Sequence, residues 1–144
     1  MSGDNRTPSV IVLDTSYLLE GRPRLREYVA GRRGEEVKGL IPDTVLAELE
    51  WYAKHPETNE KAWLAIQLLR LLKDSLAKGE VEYFAVRPKE CPPPPGLDDK
   101  KPEDQVLVVA HQVKTLLPER KVLLATGDEK LKARAATFGI EAIK

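Results

Sequence analysis

The chain has 144 residues, 42% of them hydrophobic, with 23 Lys+Arg against 23 Asp+Glu and a formal net charge of +0. That is enough apolar material for one packed core, and the balanced charge excludes a uniformly basic nucleic-acid coat while allowing an enzyme with a basic rim around an acidic centre. One cysteine, Cys91, excludes an internal disulfide and a cysteine-built zinc site, and His55 and His111 are too few for a multi-histidine zinc centre.

Residues 1–8 are polar, lack the apolar centre of a signal peptide and read as a disordered tail; the domain is expected over 9–144. No stretch is long and apolar enough to span a membrane, so a soluble cytoplasmic protein is the expectation. Residues 9–13, Ser-Val-Ile-Val-Leu, are a continuous β-branched apolar run, which suits a strand covered on both faces, and Asp14 ends it. Thr15 to Leu19 starts a helix or turn that Gly21 and Pro23 interrupt. Arg22, Arg24, Arg26, Arg32 and Arg33 follow in a Gly-punctuated stretch, either a solvated surface or a group that holds RNA phosphates or an acidic partner.

Residues 37–41 predict a second strand. Asp43 then reads as the N-cap of a helix in which Val45, Leu46, Leu49 and Tyr52 recur at helical spacing, and His55-Pro56 breaks it. A long amphipathic helix is expected over 60–78, with Trp63, Ile66, Leu68, Leu69, Leu72 and Leu76 on or near one face and Gly79 as its stop. Trp51, Tyr52 and Trp63 read as core or dimer-interface residues rather than base-stacking platforms. Residues 81–86 alternate as a strand, and Pro92 to Pro95 predicts a stiff extended segment. Lys89 to Lys101 is the one break resembling a boundary, but too little chain follows it for a separate core. Pro102 is placed to open a helix to about Leu116. A strand at 121–125, a helix at 129–138 stopped by Gly139, and a short strand at 140–143 complete the chain. Strands alternating with helices predict a parallel sheet.

Functional groups in such sheets gather beyond the carboxyl ends of the strands. Asp14 and Asp128 each follow a strand, while Glu48 and Asp104 lie near the starts of helices leaving that same edge. Each acid also has an ordinary reading: a cap for Asp14 and Asp128, a solvated face for Glu48, and dipole complementation in the first helical turn for Asp104. Converging carboxylates repel one another unless a cation joins them, and an all-oxygen set selects Mg²⁺ or Mn²⁺. Lys130 and Arg134, one helical turn apart, are placed to contact phosphate. His111 reads as a packed side chain and Cys91 as incidental.

Four segments together resemble the PIN-domain family over Val10 to Ile143. They are Val10-Ile-Val-Leu-Asp14-Thr15-Ser16, Ile41-Pro-Asp-Thr-Val-Leu-Ala-Glu48-Leu49, Pro102-Glu-Asp104-Gln-Val-Leu-Val-Val-Ala110 and Val122-Leu-Leu-Ala-Thr126-Gly-Asp128-Glu-Lys-Leu131. The ending Ala136-Thr-Phe-Gly139-Ile140 is similar to the Gly-Ile common before the family's last strand. The resemblance implies a Rossmann-like three-layer α/β/α sandwich around a mainly parallel sheet of about five strands. It also implies a Mg²⁺- or Mn²⁺-dependent ribonuclease with one or two ions held by Asp14, Glu48, Asp104 and Asp128. Thr15, Ser16 and Thr126 would support those ligands, with Arg22, Arg24, Lys130 and Arg134 as candidate RNA contacts. The Pro-rich insertion adds Asp98 and Asp99, so Asp99 or Glu103 competes with Asp104 for the third acidic position. Size suits a VapC-type toxin, which implies a small antitoxin partner and a homodimer or higher oligomer; an RNA-processing nuclease is equally compatible. The alternative is a non-catalytic PIN-like scaffold binding RNA or protein. A receiver-type phospho-acceptor would need an Asp where the third strand ends, and this sequence has Val86-Arg87-Pro88 there.

Overall fold

The computed structural model describes residues 7–19, 38–58, 61–79 and 81–143. The Arg22 to Arg33 stretch, including the candidate RNA contacts Arg22 and Arg24, lies outside the described residues, as does the tail before residue 7. The described elements alternate between strand and helix except where two helices follow one another after the second strand. They are β1 (Thr7–Leu13), α1 (Thr15–Leu19), β2 (Lys38–Pro42), α2 (Asp43–Lys54), α3 (Ala62–Ala77), β3 (Val81–Phe84), α4 (Pro102–Leu116), β4 (Arg120–Ala125), α5 (Glu129–Thr137) and β5 (Glu141–Ile143). A single 3-10 turn, Pro56–Thr58, separates α2 from α3.

The strands form one five-stranded sheet in the order β3-β2-β1-β4-β5, with every neighbouring pair parallel. The expected α/β three-layer architecture is therefore present. The chain builds outward from β1 to β2 and β3, then crosses back to β4 and β5 on the other side. Parallel crossovers are right-handed as a rule, so connections that leave β1 in opposite directions put helices on both faces of the sheet. Burial explains why the central strands lack alternation. Val10, Ile11, Val12 and Leu13 are all at most 3% exposed, and Val122 to Ala125 on β4 are buried as well. Each of these Val, Ile and Leu side chains contributes about 1.5–3 kcal/mol by leaving water. Helix α4 carries Val106, Leu107, Val108, Val109, Ala110 and Val113, all buried, and it contacts β1, β2 and β4.

Four local expectations need correction. The first strand opens at Thr7, two residues inside the segment read as tail. Asp43 is the first residue of α2 rather than its cap; Pro42 holds the cap position without a side-chain bond, and Asp43 accepts from the Thr44 amide at 2.9 Å. On α3 the buried stripe is Ala62, Ala65, Leu72 and Ser75, whereas Trp63 is 69% and Leu76 38% exposed. The apolar periodicity of α3 is wider than the face that α2 and β3 can cover. Trp51, read as core or dimer-interface, is 51% exposed and so is not a core residue.

The Pro-rich stretch is not a boundary. Cys91 and Leu97 are buried in the core, and the buried side chain of Gln112 accepts from the Arg87 amide at 3.2 Å and donates to the Cys91 carbonyl at 2.9 Å. A glutamine on α4 thus supplies the backbone partners that a proline-rich strap cannot find in a ladder.

Candidate active site

The reversal of strand order falls between β1 and β4, whose carboxyl ends lie side by side, with Leu13 opposite Ala125. The Asp14 amide donates to the Ala125 carbonyl at 3.0 Å, extending that ladder by one bond. Asp14 therefore emerges next to Thr126. Its Oδ2 accepts from Ser16 Oγ at 2.5 Å and from Thr126 Oγ1 at 2.7 Å. The two hydroxyls are themselves 3.2 Å apart; the Gly127 amide donates to Ser16 Oγ at 3.2 Å and the Asp128 amide to Thr126 Oγ1 at 3.0 Å. Thr126 is fully buried. Residues 110 positions apart thus lock one carboxylate, a use of Ser16 and Thr126 that charge-assisted bonds of this kind make strong.

A pocket of about 420 Å³ opens at this edge, lined by Asp14, Thr15, Ser16, Glu48, Glu103 and Asp128, with Tyr52, Lys61, Lys130 and Arg134 also on its wall. Glu48 stands one and a half turns into α2, on the helix that follows β2. Burial raises its carboxyl above the ordinary value and the negative charge of Asp14 raises it further. The Thr15 hydroxyl opposes that shift, although among the described residues its buried oxygen forms no hydrogen bond. Asp128 caps α5, its Oδ1 accepting from the Lys130 and Leu131 amides at 2.9 and 3.4 Å. Its capping role and its place on the pocket are both real.

Asp104 departs from the expected arrangement. It is buried and is not among the residues lining the pocket. Its Oδ1 accepts from Arg134 Nη1 at 2.6 Å and its Oδ2 from the Asp98 amide at 2.9 Å. Burial works against its charge, but the Arg134 hydrogen bond, the Asp98 amide and the charges of Arg134 and Lys101 outweigh burial and hold the carboxyl below its usual range. The exposed neighbour Glu103 faces the pocket instead. Asp99 does not line it; its backbone carbonyl accepts from Gln105 Nε2 at 3.0 Å. Arg134 donates Nη1 to Asp104 while its side chain stays 40% exposed on the pocket wall, and Lys130 is exposed on the same wall. Tyr52 and Lys61 were not assigned to the site from sequence. Tyr52 lies one turn beyond Glu48 on α2 and Lys61 stands at the start of α3, and the packing of α2 on α3 brings them to one wall. The signal for Glu103 was its position directly after Pro102, in the first turn of α4.

Among the described residues, no group of three His, Cys, Asp or Glu side chains stands close enough to hold a metal ion as placed. The donors nevertheless fit a hard divalent cation in kind. They are all oxygen, Asp14 and Glu48 repel, and the Thr15 oxygen, without a hydrogen-bond partner among the described residues, lies buried beside them.

The family model described as PIN domain matches residues 11–144. No curated protein matches the chain. Among solved structures, a domain of a functionally unknown protein from Methanocaldococcus jannaschii DSM 2661 is 24% identical over 93% of this chain and 89% of its own, with a TM-score of 0.65. The PIN domain endonuclease Utp24 is 21% identical, covering 94% of this chain and 84% of its own, with a TM-score of 0.57. VapBC-1 from nontypeable Haemophilus influenzae is 16% identical, covering 94% and 97%, with a TM-score of 0.50. At these identities the structural likeness speaks to the fold.

Proposed function

The chain belongs to the PIN-domain family, whose members are generally nucleases, and from that premise we propose that it is a metal-dependent endoribonuclease hydrolysing RNA phosphodiester bonds. The observation that carries this reading is the Asp14 carboxylate, clamped by Ser16 and Thr126 and facing Glu48 across one pocket. In this reading Asp14 and Glu48 hold Mg²⁺ or Mn²⁺, one ion or two, with Asp128 and an acid from the first turn of α4 completing the set. Asp104 is the acid that the family resemblance assigns there, and Glu103 is the one that faces the pocket. Such an ion supplies charge neutralisation at the phosphoryl group and activates the attacking water.

The remaining work falls to the chain itself. Ser16 and Thr126 fix one oxygen of Asp14, so its orientation is set before substrate arrives. Lys130 offers a charge to a flanking phosphate at the rim. Hydrolysis forms a new P–O bond from water and breaks the bond to the leaving ribose oxygen, which takes up a proton.

Purified protein is expected to cut single-stranded RNA internally with Mn²⁺ or Mg²⁺ and to stop in EDTA. Asp14→Asn should reduce cleavage to background while leaving the circular dichroism spectrum unchanged. Undiminished cleavage by the variant, or by wild type in EDTA, overturns the reading.

A second reading, a non-catalytic PIN-like scaffold for RNA or protein, draws on the Asp104–Arg134 pair, which keeps one of the four acids out of the pocket. RNA binding without any cleavage would favour it. The VapBC-1 likeness supports a toxin role with an antitoxin partner, in a homodimer or higher oligomer, only as far as the shared fold. A neighbouring reading frame for a small DNA-binding protein would separate that role from RNA processing.

A further inference from the structure

Two exposed indoles are unusual on a small protein, and one of them sits in an ordered ring assembly beside the pocket. Trp51 stacks on His55 with centroids 4.2 Å apart and planes 18° from parallel. Tyr52 meets Trp51 edge-on, with centroids 5.6 Å apart and an interplanar angle of 80°. His55 Nδ1 lies 2.7 Å from the Trp51 carbonyl oxygen; a carbonyl only accepts, so this nitrogen donates and the imidazole is held in place. His55 thus backs one side of the indole, and Trp51 still shows 51% of its surface to solvent.

The assembly is continuous with the acids. Tyr52 follows Glu48 by one helical turn on α2, and both line the pocket, as does Lys61 from the start of α3. At about 1.5 Å of rise per residue, Trp51 and His55 lie about 5–10 Å beyond Glu48 along the helix axis, a span of one or two nucleotides. A flat, pre-ordered ring pair with lysines on the adjoining wall suits a ligand that is planar and anionic by turns. An unpaired nucleotide has that chemistry, because every base has a π-face and every link carries a charge. A purely apolar protein partner would have no use for the lysines.

We infer that Trp51 and His55 form a stacking platform for an unpaired base of single-stranded RNA whose neighbouring phosphate enters the Asp14–Glu48 pocket. This rests on the nuclease reading for its substrate class and adds where the strand lies. Tyr52 acts as a positioning residue, bracing the indole from the side and joining it to the pocket wall.

The test uses the full chain with Asp14→Asn, so that RNA stays intact, and with Trp63→Phe, so that Trp51 is the reporting indole. A single-stranded RNA oligonucleotide is titrated in EDTA and indole fluorescence is read. Binding should quench Trp51. Trp51→Leu, followed by fluorescence anisotropy of labelled RNA, should weaken binding roughly 5- to 100-fold, and Trp51→Phe should restore part of it. With an abasic oligomer of the same length, the Trp51→Leu protein and its parent should bind alike. Equal affinity of Trp51→Leu and its parent for ordinary RNA overturns the platform, as does an equal loss on the abasic oligomer. If Trp51→Leu instead turns a dimer into a monomer by sedimentation and leaves RNA affinity unchanged, the rings are a protein interface and the inference fails. Cleavage by the wild-type protein in Mn²⁺ is scored separately. Active enzyme with Trp51-independent binding removes the platform alone, and base-dependent binding without cleavage removes the nuclease reading alone.

Discussion

Arg134 on α5 reaches across 30 positions of sequence to donate a 2.6 Å hydrogen bond to the buried carboxylate of Asp104 at the start of α4. The pair joins the helices that precede and follow β4, and the Asp98 amide on the other carboxylate oxygen ties in the Pro-rich strap. The folded-state pKa of Asp104 is depressed, so its stabilisation is full above the unfolded pKa and is lost as pH falls through the folded value. Arg134→Met should therefore cost about 1–3 kcal/mol near neutral pH, a fall in Tm of roughly 3–10 °C. The difference from wild type should shrink in acid. Thermal unfolding across a pH series measures it, and a pH-independent difference would show that packing rather than charge joins the helices.

Glu48 carries the opposite sign. Its carboxyl is raised in the fold by burial and by Asp14, so the folded state holds its proton more tightly than the unfolded state. Stability is then lost as pH rises through the unfolded and then the folded value. Glu48→Gln should raise the Tm of the metal-free protein at neutral pH, by on the order of a degree or two after solvent screening. At low pH the gain should vanish. A loss of Tm at neutral pH in EDTA would refute electrostatic repulsion at the site.

The two acids opening α4 should separate by their readouts. Glu103 is exposed on the pocket, while Asp104 is buried and paired. Saturating Mg²⁺ or Mn²⁺ should raise Tm by linkage, by about 2.7 kcal/mol of added stability at 100 times Kd. Glu103→Gln should shrink that rise and slow cleavage without altering metal-free stability. Asp104→Asn should lower metal-free stability first. If Asp104→Asn abolishes the metal-induced rise and Glu103→Gln leaves it intact, Asp104 is the ligand, and Arg134 must release it when the ion binds.

The hydroxyls that hold Asp14 should matter to activity beyond their number of contacts. Removing an outer-shell partner of this type typically costs about 10–100-fold in metal affinity or activity. Thr126→Val keeps the volume of a fully buried side chain and deletes its bond to Asp14. Its cleavage rate should fall by that range, and Ser16→Ala should act in the same direction. A Thr126→Val protein that cuts and binds Mn²⁺ like wild type would assign the Ser16–Thr126 bonds to folding alone.

Most of the element order is legible in the sequence because the signals are local. A β-branched run without alternation at 9–13, a proline opening α4 at Pro102, and glycines ending helices at Gly79 and Gly139 depend on neighbours a few residues away. Both of those glycines hold positive φ, which a side chain would resist. Gathering Asp14, Glu48 and Asp128 at one edge needs only a parallel sheet, and alternating strands and helices already require that. The rest is decided by packing between distant segments. Sequence spacing could not say that Asp104 would meet Arg134 and turn from the pocket, because a carboxylate in a first turn is equally suited to a dipole, a cation or a guanidinium. Nor could it say that Trp51 and Trp63 stay exposed, since apolar periodicity measures what a helix offers and the width of the neighbouring elements sets what is covered. Local chemistry thus determined which groups stand at the sheet edge, and tertiary contact decided which of them face one another, because charge partners are chosen by distance through space.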